Sequence, residues 1–257
     1  VRCGIYDGKI YPYMRTTKSH NGVIHYGRIL PIIKHCGEVG MRIHVHPEHP
    51  SMLYFNRDAE FVFLAVARMY LEETNAAIFW EHGTDGRCIP HWEDMATSGR
   101  FFVTLTAHHL AANEDNTFGD VRAVCKPPIK TEADWRGLIE LVKKNYPWVM
   151  AGLDDAFHPE SPKHVERGRC ACGAITTHFG LTLYAHVMDD LIMTGAEGTF
   201  INFTSRNARR VFNLPPASRT LQLVRKPFEI PRSYEVSSQT ALPFWAGETL
   251  HWSIKNL

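Results

Sequence analysis

The chain has almost no net charge: 28 lysines and arginines stand against 27 aspartates and glutamates, leaving +1 with the histidines neutral. It also lacks a long basic run. The electrostatic footprint of a nucleic-acid binder is therefore missing, and the expected partner is a small molecule. Long apolar stretches are absent too. A membrane span takes ~20 such residues, whereas the longest stretch in the helical patterns is Phe61 to Ala67. Cysteine is scarce and scattered, at Cys3, Cys36, Cys88, Cys125, Cys170 and Cys172. That distribution excludes a small disulfide scaffold and points to reduced thiols in an intracellular, most simply cytoplasmic, compartment. Cys170 and Cys172 form C-x-C, but without a second pair nearby they favour two loop thiols over a zinc site. No signal-peptide pattern opens the chain. Because Val1 is not an initiator methionine, targeting, to an organelle for example, stays open.

What the chain does have is a regular spacing. Lys9, His46, His82 and Asp154 each stand at the C-terminal tip of a short apolar run, at intervals of 37, 36 and 72 positions, the last being twice 36. In a (β/α)8 barrel a strand, loop and helix take roughly 30 residues, and successive strand ends meet at one mouth, where such enzymes keep their active sites. One lysine, two histidines and one aspartate brought together there can hold metal and activate water. The runs Met41 to His46, Ala77 to His82, Phe101 to His109 and Trp148 to Asp154 are apolar, aromatic or β-branched and too short for helices. Helical patterns lie between them: Gly22 to Cys36 with a stop at Gly37, Asp58 to Leu71, and Asp134 to Lys144, whose two final lysines suit the negative end of the helix dipole. Alternating strands and helices mean a parallel sheet and the α/β class. At 257 residues and 44% hydrophobic, the chain is expected to fold as one domain with a substantial core. Its βα units run to about residue 195. A helical or irregular segment from about 196 to 257, including the Pro-, Ser- and Arg-rich stretch Pro215 to Pro243, is expected to pack on the barrel.

Several segments carry a family signature. They are Lys9-Ile10-Tyr11-Pro12, Thr16-Thr17-Lys18-Ser19-His20-Asn21-Gly22-Val23, His46-Pro47-Glu48, Glu81-His82, Leu105-Thr106-Ala107-His108-His109-Leu110, Cys125-Lys126-Pro127-Pro128-Ile129-Lys130, Gly152 to Pro159 and Pro243 to Ser253. In this order and spacing they resemble the shorter, monofunctional dihydroorotases of the amidohydrolase superfamily, from about Gly4 to the C-terminus. The resemblance implies a (β/α)8 barrel and the reversible cyclisation of N-carbamoyl-L-aspartate to L-dihydroorotate in pyrimidine biosynthesis.

It also implies a binuclear zinc site. Lys9 would be carbamylated by CO₂ and bridge both metals, His46 and His82 would hold one metal, and Asp154 would hold the other and act as general base. Imidazole nitrogen and carboxylate oxygen suit Zn²⁺, and two metals ~3.5–4 Å apart share a hydroxide and polarise an amide carbonyl. For the substrate, Thr16 and Thr17 match a mobile loop that closes over the ligand, and His158 matches a residue that binds the substrate carboxylate. Lys126 and Gly173 fall where the family mainly uses backbone groups on the pyrimidine ring.

The chain departs from the family in three places. Pro47 follows His46 where the family usually has Gly, which fixes φ and removes an N–H. Asp155 and Phe157 stand where Ser and Pro are usual, so a second carboxylate adjoins the base. The family's first strand, with its H-x-H-x-R, has no counterpart here, and Lys9 would sit on strand four, so strands four to eight are present and one to three are not. An arc of five strands is expected to leave two unpaired edges, with apolar residues such as Ile5, Ile10, Val149 and Leu153 short of neighbours. The resulting expectation is a partial barrel, in a dihydroorotase-like enzyme whose sequence here is incomplete and whose open edge is covered by its missing N-terminal segment, a second copy or a partner subunit. The alternative is an inactive homologue serving as a structural subunit of a larger assembly. A cyclic amidohydrolase acting on a hydantoin or allantoin ranks third.

Overall fold

The computed structural model describes residues 4–51, 54–164 and 170–255, so Cys3 lies outside the described residues. Its centre is a parallel sheet of five strands lying side by side in chain order: β1 (Asp7–Ile10), β2 (Arg42–Val45), β3 (Ala77–Trp80), β4 (Phe101–Thr106) and β5 (Val149–Gly152). Helices make the crossovers. A 3-10 turn (Tyr26–Ile29) leads into α1 (Leu30–Glu38), and α2 (Asn56–Glu73) and α3 (Ile89–Ala96) follow. Between β4 and β5 lie α4 (Ala107–Ala111), α5 (Glu114–Thr117) and α6 (Glu132–Lys143).

The two faces of the sheet differ because strand side chains alternate. Val45, Trp80, Val103 and Val149 are in register across β2 to β5 and buried, and they form the helix-facing core. There Trp80 meets Phe63 of α2 and Trp92 of α3 edge-on, each with ring centroids 5.7 Å apart. Fully burying side chains of this size stabilises the fold by about 1.5–3 kcal/mol apiece. The opposite face is polar. Arg42 grips the Asp7 carboxylate with two hydrogen bonds of 2.6 Å, and His44 bridges Asp7 and Glu81. Phe79 and Phe102 stack alongside, and Phe212 closes over Phe79 and the Arg42 guanidinium.

Several boundaries differ from the sequence reading. The helix read as stopping at Gly37 runs on to Glu38, and the left-handed turn falls at Gly40, with φ of 74°. Gly37 is small for another reason: a Cβ there would lie 2.5 Å from the backbone nitrogen of Ala76. The run Phe101 to His109 divides, because the ladder ends at Thr106 and His108 and His109 begin α4. α6 starts at Glu132 under a reciprocal cap between Thr131 and Asp134.

Among the described residues β1 and β5 are the sheet edges, but only β1 stands open. Ile5 and Tyr6 beside it are 60% and 50% exposed. At β5 a helical run from Glu197 to Val211 packs on the strand, and Asn207 Nδ2 donates to the carbonyls of Tyr146 (3.0 Å) and Val149 (2.8 Å). The two unpaired edges expected are there, β5 like β1 pairing with a strand on one side only, but Val149 is buried rather than short of neighbours. The stretch Pro215 to Pro243 is not wholly irregular. It supplies Leu223–Val224 and Phe228–Glu229 to two small ladders completed by Ser253–Ile254 and Thr249–Leu250, and it holds the whole hairpin of Tyr234–Val236 with Gln239–Ala241. The described cysteines, Cys36, Cys88, Cys125, Cys170 and Cys172, are all free thiols.

Candidate active site

A cavity of about 990 Å³ opens at the C-terminal ends of the strands. Lys9, His46, His82 and Asp154 line it, together with Thr16, Thr17, Lys126, His158 and Gly173. The strands aim the first four. His46 N donates to Ile10 O (3.0 Å), carrying the β1–β2 ladder one residue past the strand, and His82 N is held by Thr104 Oγ1 (2.7 Å). His82 and Asp154 both adopt left-handed backbone, with φ of 42° and 47°. Residues other than glycine rarely do so, at a cost of about 1–3 kcal/mol, and such strain gathers at functional sites.

The His46 and His82 rings lie 4.6 Å apart at 58°, and His82 Nε2 is 3.9 Å from Asp154 Oδ2. His82 Nδ1 is buried without a hydrogen-bond partner. Burial, reinforced by the charges of His46 and Lys9, pushes the His82 pKa well below the ordinary histidine value, so the ring is neutral, with a proton on one nitrogen and a free lone pair on the other. Burial lowers Lys9 too, against the pull of Glu81 and Asp154. Asp154 moves the other way: burial raises its carboxyl to about 6, with Glu81 and Asp155 adding to the effect and Lys9 opposing it. Both side chains are still open to the cavity, 48% of the Asp154 side chain being accessible. Protein surrounds them elsewhere.

Pro47 closes a tight turn in which Glu48 N donates back to His46 O (3.0 Å), a geometry that the proline-fixed φ favours. The turn returns the Glu48 carboxylate to His46, whose Nε2 lies 2.7 Å from Oε2. Lys126 Nζ is 3.7 Å from the other Glu48 oxygen and 2.5 Å from Asn56 Oδ1. Thr17 Oγ1 accepts from Cys172 N (3.2 Å), and Ser19 braces Thr16, so the loop lies across the cavity. His158 Nε2 donates to Cys172 O (3.1 Å). Gly173 donates to Val124 O, its carbonyl accepts from Lys163, and a Cβ on it would meet that of Ala156 at 2.4 Å. Asp155, which adjoins the base in sequence, is spoken for: its carboxylate accepts from the N–H and hydroxyl groups of Thr176 and Thr177.

The sequence reading gave no role to several residues here. Glu81 accepts from Thr104 Oγ1 (2.6 Å) and binds His44, which places an anion beside Lys9. Its position just before His82 was the available signal. Among the described residues, the one trio of histidine, cysteine or acidic donors within 4.8 Å of one another is not the expected ligand set but His108, His109 and Cys125. That buried trio is partly hydrogen-bonded: His109 Nε2 donates to Pro127 O (2.9 Å), Cys125 donates to the same carbonyl (3.3 Å), and Thr106 Oγ1 contacts both rings, while His108 Nδ1 has no hydrogen-bond partner.

No family model matches the chain. A dihydroorotase of Enterobacter sp. is 29% identical over 266 residues, spanning 99% of this chain and 74% of that protein. Among solved structures, dihydroorotase from Saccharomyces cerevisiae in complex with 5-fluoroorotic acid superposes with a TM-score of 0.90 at 26% identity, covering 98% of this chain and 73% of the other. Dihydroorotase from Campylobacter jejuni gives 0.86 at 26%, covering 99% and 72%. An L-hydantoinase from Arthrobacter aurescens shares the fold, with a TM-score of 0.73 at 13% identity over 97% of this chain and 63% of that one. Sequence and fold together, over nearly its whole length, make this chain a homologue of the dihydroorotases.

Proposed function

We propose that the chain is a dihydroorotase-type cyclic amidohydrolase, interconverting N-carbamoyl-L-aspartate and L-dihydroorotate on an amidohydrolase (β/α)8 barrel whose strands four to eight are β1 to β5. The observation that carries this reading is the meeting of Lys9, His46, His82 and Asp154 with the five substrate-site candidates around one cavity at the strand ends. The alternative of an inactive structural subunit gains nothing from that arrangement. Hydantoinase likeness extends only to the fold.

The donor set fits zinc: two neutral imidazoles and a carboxylate face one another, and His82 Nδ1 is free to carry the proton while Nε2 turns toward Asp154. Lys9, as its carbamate, would bridge two ions, with His46 and His82 on one and Asp154 on the other. When bound, such an ion pair polarises the amide carbonyl and lowers the pKa of water. Burial keeps a larger share of the Lys9 amine neutral, and the neutral amine is the form that adds CO₂, forming the N–C bond and releasing a proton. In ring opening, Asp154 takes the proton from the attacking water and gives it to the ring nitrogen as the C–N bond breaks. The Thr16–Thr17 loop, latched to Cys172, keeps bulk water out, His158 meets the substrate carboxylate, and Lys126 and Gly173 border the ring. The open edge at β1 is covered by chain preceding residue 1, by a second copy or by a partner subunit.

The test is to supply zinc-loaded chain with dihydroorotate and, separately, with hydantoin. Opening of dihydroorotate is expected. Opening of hydantoin alone would move the chain to the hydantoinases, and turnover of neither would restore the structural-subunit reading.

A further inference from the structure

Resting on that metal-site reading, we infer that Glu48 is a positioning residue, which holds His46 in the one tautomer that leaves its Nδ1 lone pair free for a metal. A carboxylate only accepts hydrogen bonds, so a 2.7 Å contact from His46 Nε2 to Glu48 Oε2 requires the proton on Nε2. No hydrogen bond to His46 Nδ1 is made among the described residues, and His46 lines the cavity. Burial makes the pair expensive. Glu48 is 0% exposed and His46 2%, and the second carboxylate oxygen has no hydrogen bond, only the Lys126 ammonium at 3.7 Å. A buried anion with so few partners is costly to keep. The Pro47 turn nevertheless delivers it to the ring nitrogen facing away from metal duty. Carboxylates that orient metal-bound histidines in this way are worth 10–100-fold in metal affinity.

A core ion pair with no bearing on metal would look similar in a static structure, so the test reads the tautomer and the metal separately. Histidine nitrogen NMR on the metal-free chain should show His46 as the Nε2–H form. In zinc titrations Glu48→Ala should bind 10–100-fold more weakly, Glu48→Gln, whose carbonyl still accepts from Nε2–H, should recover most of that loss, and Glu48→Ala should add nothing to His46→Ala. An Nδ1–H tautomer in the wild type overturns the inference, even if Glu48→Ala fails to fold. So does unchanged zinc affinity in Glu48→Ala while His46→Ala loses zinc. If His46→Ala itself binds zinc as tightly as the wild type, the metal-site reading fails instead, and the tautomer still reports on Glu48.

Discussion

Asp154 combines the three properties that a proton shuttle needs: a strained backbone that fixes its direction, an opening to the cavity, and a carboxyl raised to about 6 by burial. Asp154→Asn keeps the size and removes the basic oxygen. Turnover of dihydroorotate should fall by about 10²–10⁴-fold, or further because a ligand changes too; turnover like the wild type's would remove Asp154 from the base role. Lys130 lies behind the same wall. It and Glu60 are buried together, with Glu60 also accepting from Trp80 Nε1 and Thr84 N, and Lys130 roots the segment that carries Lys126. Lys130→Met strands the Glu60 charge and should lower stability by about 3–5 kcal/mol, measured as a drop in the urea midpoint. Lys9, His46, His82 and Asp154 were legible in the sequence because strand tips recur at βα spacing, whereas Thr16, Thr17, Lys126, His158 and Gly173 were legible only through the family resemblance. Glu48 was not. Two residues past a strand end, it reads as loop polarity until the Pro47 turn brings it back onto His46.

At the scale of elements, the strands were legible and their ends were not. The buried helix-facing residues mark β2, β3 and β5, even where Arg42 and His44 take the other face of β2, whereas the boundary between β4 and α4 falls inside a run that stays buried on both sides of Thr106. Glycine misled for a similar reason, since close approach and left-handed turns call for the same residue. The structure assigns close approach to Gly37 and the turn to Gly40, and the two are separable. Gly37→Ala drives a Cβ to 2.5 Å from the Ala76 nitrogen and should cost about 1–3 kcal/mol or more, while Gly40→Ala, with open space around its Cβ, should cost about 1 kcal/mol through its positive φ alone. Thermal unfolding of the two variants checks the order. A more damaging Gly40→Ala would show that the close approach at Gly37 is not the stronger constraint.

For the whole molecule, the account depends on the edge at β1. The helical run from Glu197 to Val211 shields β5, and Phe212 caps part of the polar face, but nothing among the described residues pairs with β1 on its outer side. Exposed strand edges recruit partners. Residues 1–257 expressed alone should therefore not sediment as an independent, active monomer, and a self-associated species is expected instead. A cooperative, monomeric and active preparation would show that β1 needs no cover. The central claim, that these strand-end residues form a zinc-dependent ring-opening site, is tested most directly by following dihydroorotate in the presence of the assembled chain as zinc is added and then chelated. The account predicts turnover that appears with zinc and disappears with its removal; a chain that takes up zinc and leaves dihydroorotate unopened would contradict it.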